Sequence, residues 1–199
     1  MKKLLSLSLA LAAAAAMTVP TFAASHTVQS GDTMWKLAVQ YQVGTSEIID
    51  ANPQIVNPDL IYPGDVLTIP ETDAAVRAYE QEVIRLVNAE RAKYGLAALE
   101  EDWELSRVAR YKSQDMHDER YFSHTSPTYG TPFEMIRAFG LSYRAAGENI
   151  AVGYATPAAV VAGWMTSEGH RANILSSSYT KIGVGYVADG NYWTQQFIG

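Results

Sequence analysis

The chain has 199 residues, 48% of them hydrophobic, with 15 Lys and Arg against 21 Asp and Glu and a formal charge of −6. An acidic surface of this kind argues against nucleic acid and anionic lipid as main partners, because both require clustered basic side chains. It contains no cysteine, which excludes a disulfide framework and a lipid-modified N-terminal cysteine, so stability has to come from the core.

Lys2 and Lys3 precede an apolar run from Leu4 to Met17, too short to span about 30 Å of hydrocarbon, which needs ~20 helical residues. Small residues follow at Thr21, Ala23 and Ser25. The pattern predicts a signal peptide over residues 1–25, cleaved after Ala23 or Ser25, and hence export. No second apolar stretch of spanning length follows, so no integral membrane span is expected after cleavage. Loss of Lys2 and Lys3 would take the formal charge from −6 to −8.

From His26 the pattern is short and dense in turn residues. Thr27-Val28-Gln29 predicts a strand, and Ser30 to Thr33 a turn and N-cap for a helix with Met34, Leu37 and Ala38 on one face. Tyr41 to Gly44 closes that helix, Thr45 or Ser46 caps a second through Ile48, Ile49 and Ala51, and Asn52-Pro53 stops it. After Asn57-Pro58 and Pro63-Gly64-Asp65, Val66 to Ile69 alternates as a strand. The unit is βααβ, residues 26–70.

The stretches His26 to Ala38 and Ile61 to Pro70 resemble the LysM domain over its whole length. The resemblance implies binding of N-acetylglucosamine-containing glycans, peptidoglycan above all. It places the sugar between the loop with Gly31, Asp32, Thr33 and Met34 and the loop with Asn57, Pro58, Leu60 and Ile61. Loop amides can bond an acetamido group, and Met34 and Ile61 can contact its methyl. Gly31, Asp32 and Gly64 would serve turns and capping even without a ligand, and Trp35 and Leu37 read as core.

Residues 71–77 form a short polar linker, and residues 78–199 a larger domain. Tyr79, Val83, Leu86, Val87 and Ala89 recur at helical spacing up to Gly95. A second helical pattern begins at Leu99 and runs through Leu105, Val108, Ala109 and Met116. Phe133, Ile136 and Phe139 mark a brief helix ended by Gly140, and Thr156-Pro157 opens another through Trp164. Gly147 to Gly153, Ile182 to Val187 and Tyr192 to Ile198 read as strands, the last two joined by a hairpin at Ala188 to Asn191. The fold class is α+β.

Gly147-Glu148-Asn149-Ile150-Ala151, the run from Trp164 to Leu175, and Ser123-His124 resemble the CAP superfamily, in particular its cysteine-free bacterial members. The resemblance implies an α-β-α sandwich from about Val83 onward, with a cleft of two histidines and two glutamates. Carried over, these are His124, Glu148 and His170, while Ser167 stands where the family places its other glutamate; Glu168 is adjacent but projects in a different direction from a helix, and whether it substitutes is left open. His124 and His170 with Glu148 suggest a Zn²⁺ site with a position open for water, although the spacing lacks the paired-histidine helix of known metalloproteases. Catalytic residues are not assigned. Glu148, Asn149, His170, Arg171 and Asn173 read equally as a hydrogen-bond network bracing that corner, His117 as part of a solvated face, and Trp103, Trp164 and Trp193 as core and cleft wall. The expected function is a secreted, extracellular, cell-wall-associated protein whose LysM module binds peptidoglycan or another N-acetylglucosamine glycan and whose second domain binds a ligand. The alternative is a metal-dependent hydrolase of peptide or wall polymer. Oligomeric state is left open.

Overall fold

The computed structural model describes residues 23–199; the signal-peptide reading falls on residues outside these, apart from Ala23 to Ser25. Strand β1 (Ala23–Thr27) pairs antiparallel with β2 (Val66–Pro70), and α1 (Met34–Tyr41) and α2 (Thr45–Asp50) lie between them. Thr33 caps α1 by accepting from the Lys36 amide, and Gln42 ends it in the left-handed region at φ 55°. The apolar face then closes on Leu37, Ile48, Leu67 and Ile69, all fully buried. Asn52 sits in this core, its side-chain amide donating to Ile48 and Thr68 carbonyls at 2.7 Å while its oxygen accepts the Thr68 amide at 2.8 Å. The residue before Pro53 thus braces strand to helix as well as ending α2.

Three local expectations need correction. The first strand runs Ala23–Thr27 rather than Thr27 to Gln29, because Ala24 pairs with Ile69 and packs on the small core. Gly44, not Thr45 or Ser46, occupies the N-cap of α2, where the Glu47 carboxylate accepts the Gly44 amide at 2.9 Å. Trp35 is not core: it is 66% exposed. It lies one residue from Met34, about 100° around the helix from the buried stripe, so helical geometry turns it outward.

The larger domain is a four-stranded sheet in the order β3 (Glu100–Glu101), β5 (Lys181–Val187), β6 (Tyr192–Ile198), β4 (Ala146–Val152), antiparallel except for the short β3–β5 pair. One layer against it is α3 (Ala74–Lys93) with α6 (Pro157–Thr166) and α7 (Glu168–Ile174); the other is α4 (Trp103–Asp118) with α5 (Pro132–Ala138). Strand alternation divides the work. Ile182, Val184, Tyr186, Trp193 and Phe197 face α3, α6 and α7, while Gly183 and Gly185 let α4 approach the other face. Leu99 does not begin a helix; the second helix starts at Trp103, capped by Asp102, and Leu99 is buried just before β3. Arg91, also buried, donates to carbonyls of Ala97, Ile174 and Ser176 at 2.7–2.9 Å and ties the end of α3 to the end of α7.

β2 ends at Pro70 and α3 begins at Ala74, with Asp73 capping it through the Ala75 and Val76 amides. Across this junction Arg107 of α4 pairs with Glu47 of α2, and its guanidinium lies over the Tyr111 and Phe139 rings at 5.3 and 5.1 Å. Burial pushes the Glu47 carboxyl up, but the Gly44 amide and Arg107 outweigh it, so its pKa lies below the ordinary 4.5. A depressed carboxylate stabilises the docked arrangement above pH 4.5, and the contribution fades as pH falls through the lowered value. Arg107→Ala should cost the docked state about 1–3 kcal/mol and leave each core intact. Small-angle scattering would show an increased radius of gyration, and limited proteolysis would cut faster at Glu71 to Asp73. Unchanged scattering and cleavage would mean the ion pair does not hold the domains.

Candidate functional site

The first site is a groove of about 320 Å³ on the LysM module, walled by the loop into α1 and the loop before β2. Of the expected residues, Asp32, Thr33, Met34, Pro58, Leu60 and Ile61 line it. Gly31 and Asn57 shape the loops instead: Gly31 turns at φ 93° and its carbonyl accepts Lys36 Nζ at 2.6 Å, while Asn57 Oδ1 accepts the Asp59 amide at 3.2 Å. Asp32 receives the Gln29 amide at 2.8 Å and faces His26 Nε2 at 2.9 Å; those two bonds, the amide first, hold its carboxyl below the ordinary 3.8. His26 in turn bonds the Tyr41 hydroxyl at 2.9 Å, so the groove wall is fixed from behind. Trp35, Thr45 and Asp59 complete the lining. Trp35, read as core from the sequence, had a signal for this place in its position off the apolar stripe; Thr45 and Asp59 depend on how α2 and the second loop close.

The second site is a cleft of about 640 Å³ beside the edge strand β4, walled by the loop after α4 and by α6 and the start of α7. His124 and His170 line it, with Trp164, Tyr154 and Ser167. Glu148, on β4, is buried beneath them; its Oε1 meets His124 Nδ1 at 2.9 Å and its Oε2 accepts Gln196 Nε2 at 3.0 Å. In the tautomer that donates Nδ1–H to the Glu148 carboxylate, the neutral ring keeps a lone pair on Nε2 facing the cleft. Ser167, which separates α6 from α7, is half-buried in the wall. Glu168 is exposed at the start of α7 and outside the lining.

A buried polar cluster positions His124. Lys112 Nζ donates to the Ser123 carbonyl and to the Tyr121 hydroxyl, each at 2.8 Å. Asp115 accepts from the hydroxyls of Tyr121, Ser126 (2.7 Å) and Thr128 (2.6 Å), which pins the loop where Ser126 and Gly130 exchange backbone bonds. Neither Asp115 nor Lys112 carries a sequence signal for this task, because their partners on the loop after α4 meet them only in the fold. The bracing expected of Asn149 and Asn173 is present as well. Asn149 Nδ2 donates to the His170 carbonyl at 3.1 Å and to Gln195 at 2.9 Å, and Asn173 Nδ2 donates to Asn149 at 2.8 Å and to the Glu148 carbonyl at 3.2 Å. With Tyr179 on the Ala146 carbonyl and Trp164 on that of Ile150, side-chain donors cover alternate carbonyls of the β4 edge and block strand addition there.

Trp193 is core and Trp164 is cleft wall, but Trp103 is neither: it is half-buried at the domain junction. His117 is only partly exposed and sits between Asp118 at 2.6 Å and Asp189 at 3.2 Å, linking α4 to the β5–β6 hairpin. The donor set does not fit a zinc site: among the described residues no three His, Asp or Glu side chains converge so as to hold a metal ion, and both Glu148 oxygens already have partners.

Burial first, then the neighbouring His124 ring, hold the His170 pKa below its ordinary 6.5. A histidine depressed in the fold favours the native state above pH 6.5, and that advantage is lost as pH falls below it. An NMR titration should place the His170 midpoint below 6.5, and His124→Ala should raise it without restoring it fully. A midpoint unmoved by the substitution would separate the two rings electrostatically.

The family model for the cysteine-rich secretory protein family (CAP) matches residues 84–197, and the LysM domain model matches residues 26–70. The uncharacterized protein YkwD of Bacillus subtilis is 58% identical over 132 residues, 66% of this chain and 51% of that protein. The secreted LysM effector ECP6 of Passalora fulva is 38% identical over 52 residues, 26% of this chain and 23% of the effector. An extracellular protein of Bacillus anthracis containing an SCP domain superposes with a TM-score of 0.60 at 35% identity, covering 68% of this chain and 47% of that one. The chain therefore spans about half the length of the first of these relatives and of the solved structure.

Proposed function

The chain belongs to the cysteine-rich secretory protein family and carries a LysM domain ahead of its CAP domain, and on that premise we propose that it is an exported protein held on the cell wall by its LysM groove. The groove binds N-acetylglucosamine units of peptidoglycan. The CAP cleft recognises a polar ligand through His124 and His170, with Glu148 setting the orientation of the first ring. The observation that carries this reading is the convergence of Asp32, Thr33, Met34, Pro58, Leu60 and Ile61 on one groove beside an exposed Trp35. Loop amides and hydroxyls there suit an acetamido group, and the indole offers a flat apolar face to a sugar ring.

Export rests on the charged and apolar pattern of residues 2–17 and agrees with the words "secreted" and "extracellular" in the names of two relatives. Cleavage after Ala23 keeps Ala24 in β1 against the LysM core; cleavage after Ser25 removes it. Among the described residues no helix is long and apolar enough to cross a membrane. Nothing in the CAP cleft's donor set favours metal-assisted hydrolysis over recognition.

The test is co-sedimentation of the chain lacking its signal segment with purified peptidoglycan. The protein should pellet with the wall, and Trp35→Ala should weaken binding roughly tenfold, the ~1.4 kcal/mol expected from truncating an exposed aromatic anchor. Protein that stays in the supernatant would remove the basis for wall attachment.

A further inference from the structure

The geometry points to a second glycan subsite at the domain junction, continuous with the LysM groove, so that both domains together hold a longer stretch of one N-acetylglucosamine chain than LysM holds alone. This rests on the glycan-binding reading of the groove and extends it. A cleft of about 420 Å³ opens between α1 and α2 on one side and α4 and α5 on the other. Trp35 and Thr45 line both this cleft and the LysM groove, so an occupant leaving the groove past Trp35 enters the junction directly. The CAP side contributes Trp103 as an apolar face and Glu104 as a polar group, with Arg107 and Phe139, stacked on each other, closing the wall. Aromatic faces from two domains around charged side chains match the two surfaces of a sugar ring, its C–H face and its hydroxyl rim.

The junction is built closely enough to act as one surface. A Cβ on Gly44 would lie 2.2 Å from Arg107 Nη2, so the absence of a side chain there lets the guanidinium reach Glu47 and Ser46. Trp103 stands at the first position of α4, about three helical turns before Asp115 and its buried network. A chain already held in the groove meets the junction as an intramolecular contact, so even weak contacts there add to affinity.

The test is titration calorimetry of the full chain without its signal segment, using the N-acetylglucosamine trimer and hexamer as probes. The hexamer should bind at least about tenfold tighter than the trimer. Trp103→Ala should erase that gain while leaving trimer affinity unchanged, and Ala138→Arg, which fills the junction from an exposed position on α5, should do the same if Trp103→Ala proves unstable. A hexamer that binds no tighter than the trimer, or variants that both keep the gain, would overturn the junction subsite and leave the groove standing. Failure of both oligomers to bind would overturn the groove reading and this inference with it.

Discussion

Gly185→Ala is expected to destabilise the CAP domain by about 3 kcal/mol or more, the upper range for overpacking a core. A Cβ at this position would lie 2.1 Å from the backbone carbon of Ala109 and the backbone nitrogen of Arg110. Those atoms belong to the interior of α4, so the clash is relieved only by moving the helix off the sheet. Moving it would also break the Ser113 hydroxyl bonds to the Gly185 carbonyl at 3.0 Å and to Thr194 at 2.9 Å, and pull Ser106 from the Val184 amide. Thermal unfolding should show a loss of roughly 6–12 °C for a chain of this size, with the LysM core unaffected. A melting temperature within about 2 °C of the parent would mean that α4 can slide at little cost, against the close packing expected of protein interiors.

Asp115→Asn is expected to cost about 3 kcal/mol and to release the loop that carries His124. Burial pushes the Asp115 carboxyl up, but the hydroxyls of Thr128, Tyr121 and Ser126, with Lys112 nearby, outweigh it and hold its pKa below the ordinary 3.8. The amide replaces a charged acceptor of three hydroxyl bonds with a neutral one and removes one of the two carboxylates, Glu148 and Asp115, whose charge favours the buried Lys112 ammonium, both costly changes. The sign of the pH dependence follows from the depressed value. The stabilisation is present above pH 3.8 and disappears as pH falls through the native pKa, so parent and variant should converge in acid and differ most near neutrality. Urea unfolding at pH 7 and pH 3 reads that difference directly. A gap that stays constant between the two would show that Asp115 acts through shape and not charge. In the same variant, NMR signals of His124 should broaden while those of His26 in the LysM module stay sharp.

Much of the chain's organisation was legible from residues alone, for a local reason. Thr156-Pro157 caps and starts α6, the Gly147 to Gly153 run is β4 within a residue at each end, and the stripe of Met34, Leu37 and Ala38 is buried as its spacing requires. Capping, proline and period-3.6 signals act within one or two turns, so no distant contact is needed to read them. The candidate residues of both sites were legible only by resemblance. Where resemblance failed to apply, at Ser167 and Glu168, sequence spacing did not say which side chain enters the cleft.

The sequence by itself determined two modules in order and the α+β class, because these depend on composition, local propensity and motif spacing. The tertiary structure alone decided three further matters. Glu148 is held between His124 and Gln196, which stand 24 and 48 positions away from it. Trp35 and Trp103 meet a shared cleft from different domains. Glycines at 183 and 185 are contact points for α4 rather than breaks in a strand. Each depends on how close two distant backbones approach, and that distance is set by the packing of the whole sheet against its helices, which no window of sequence contains.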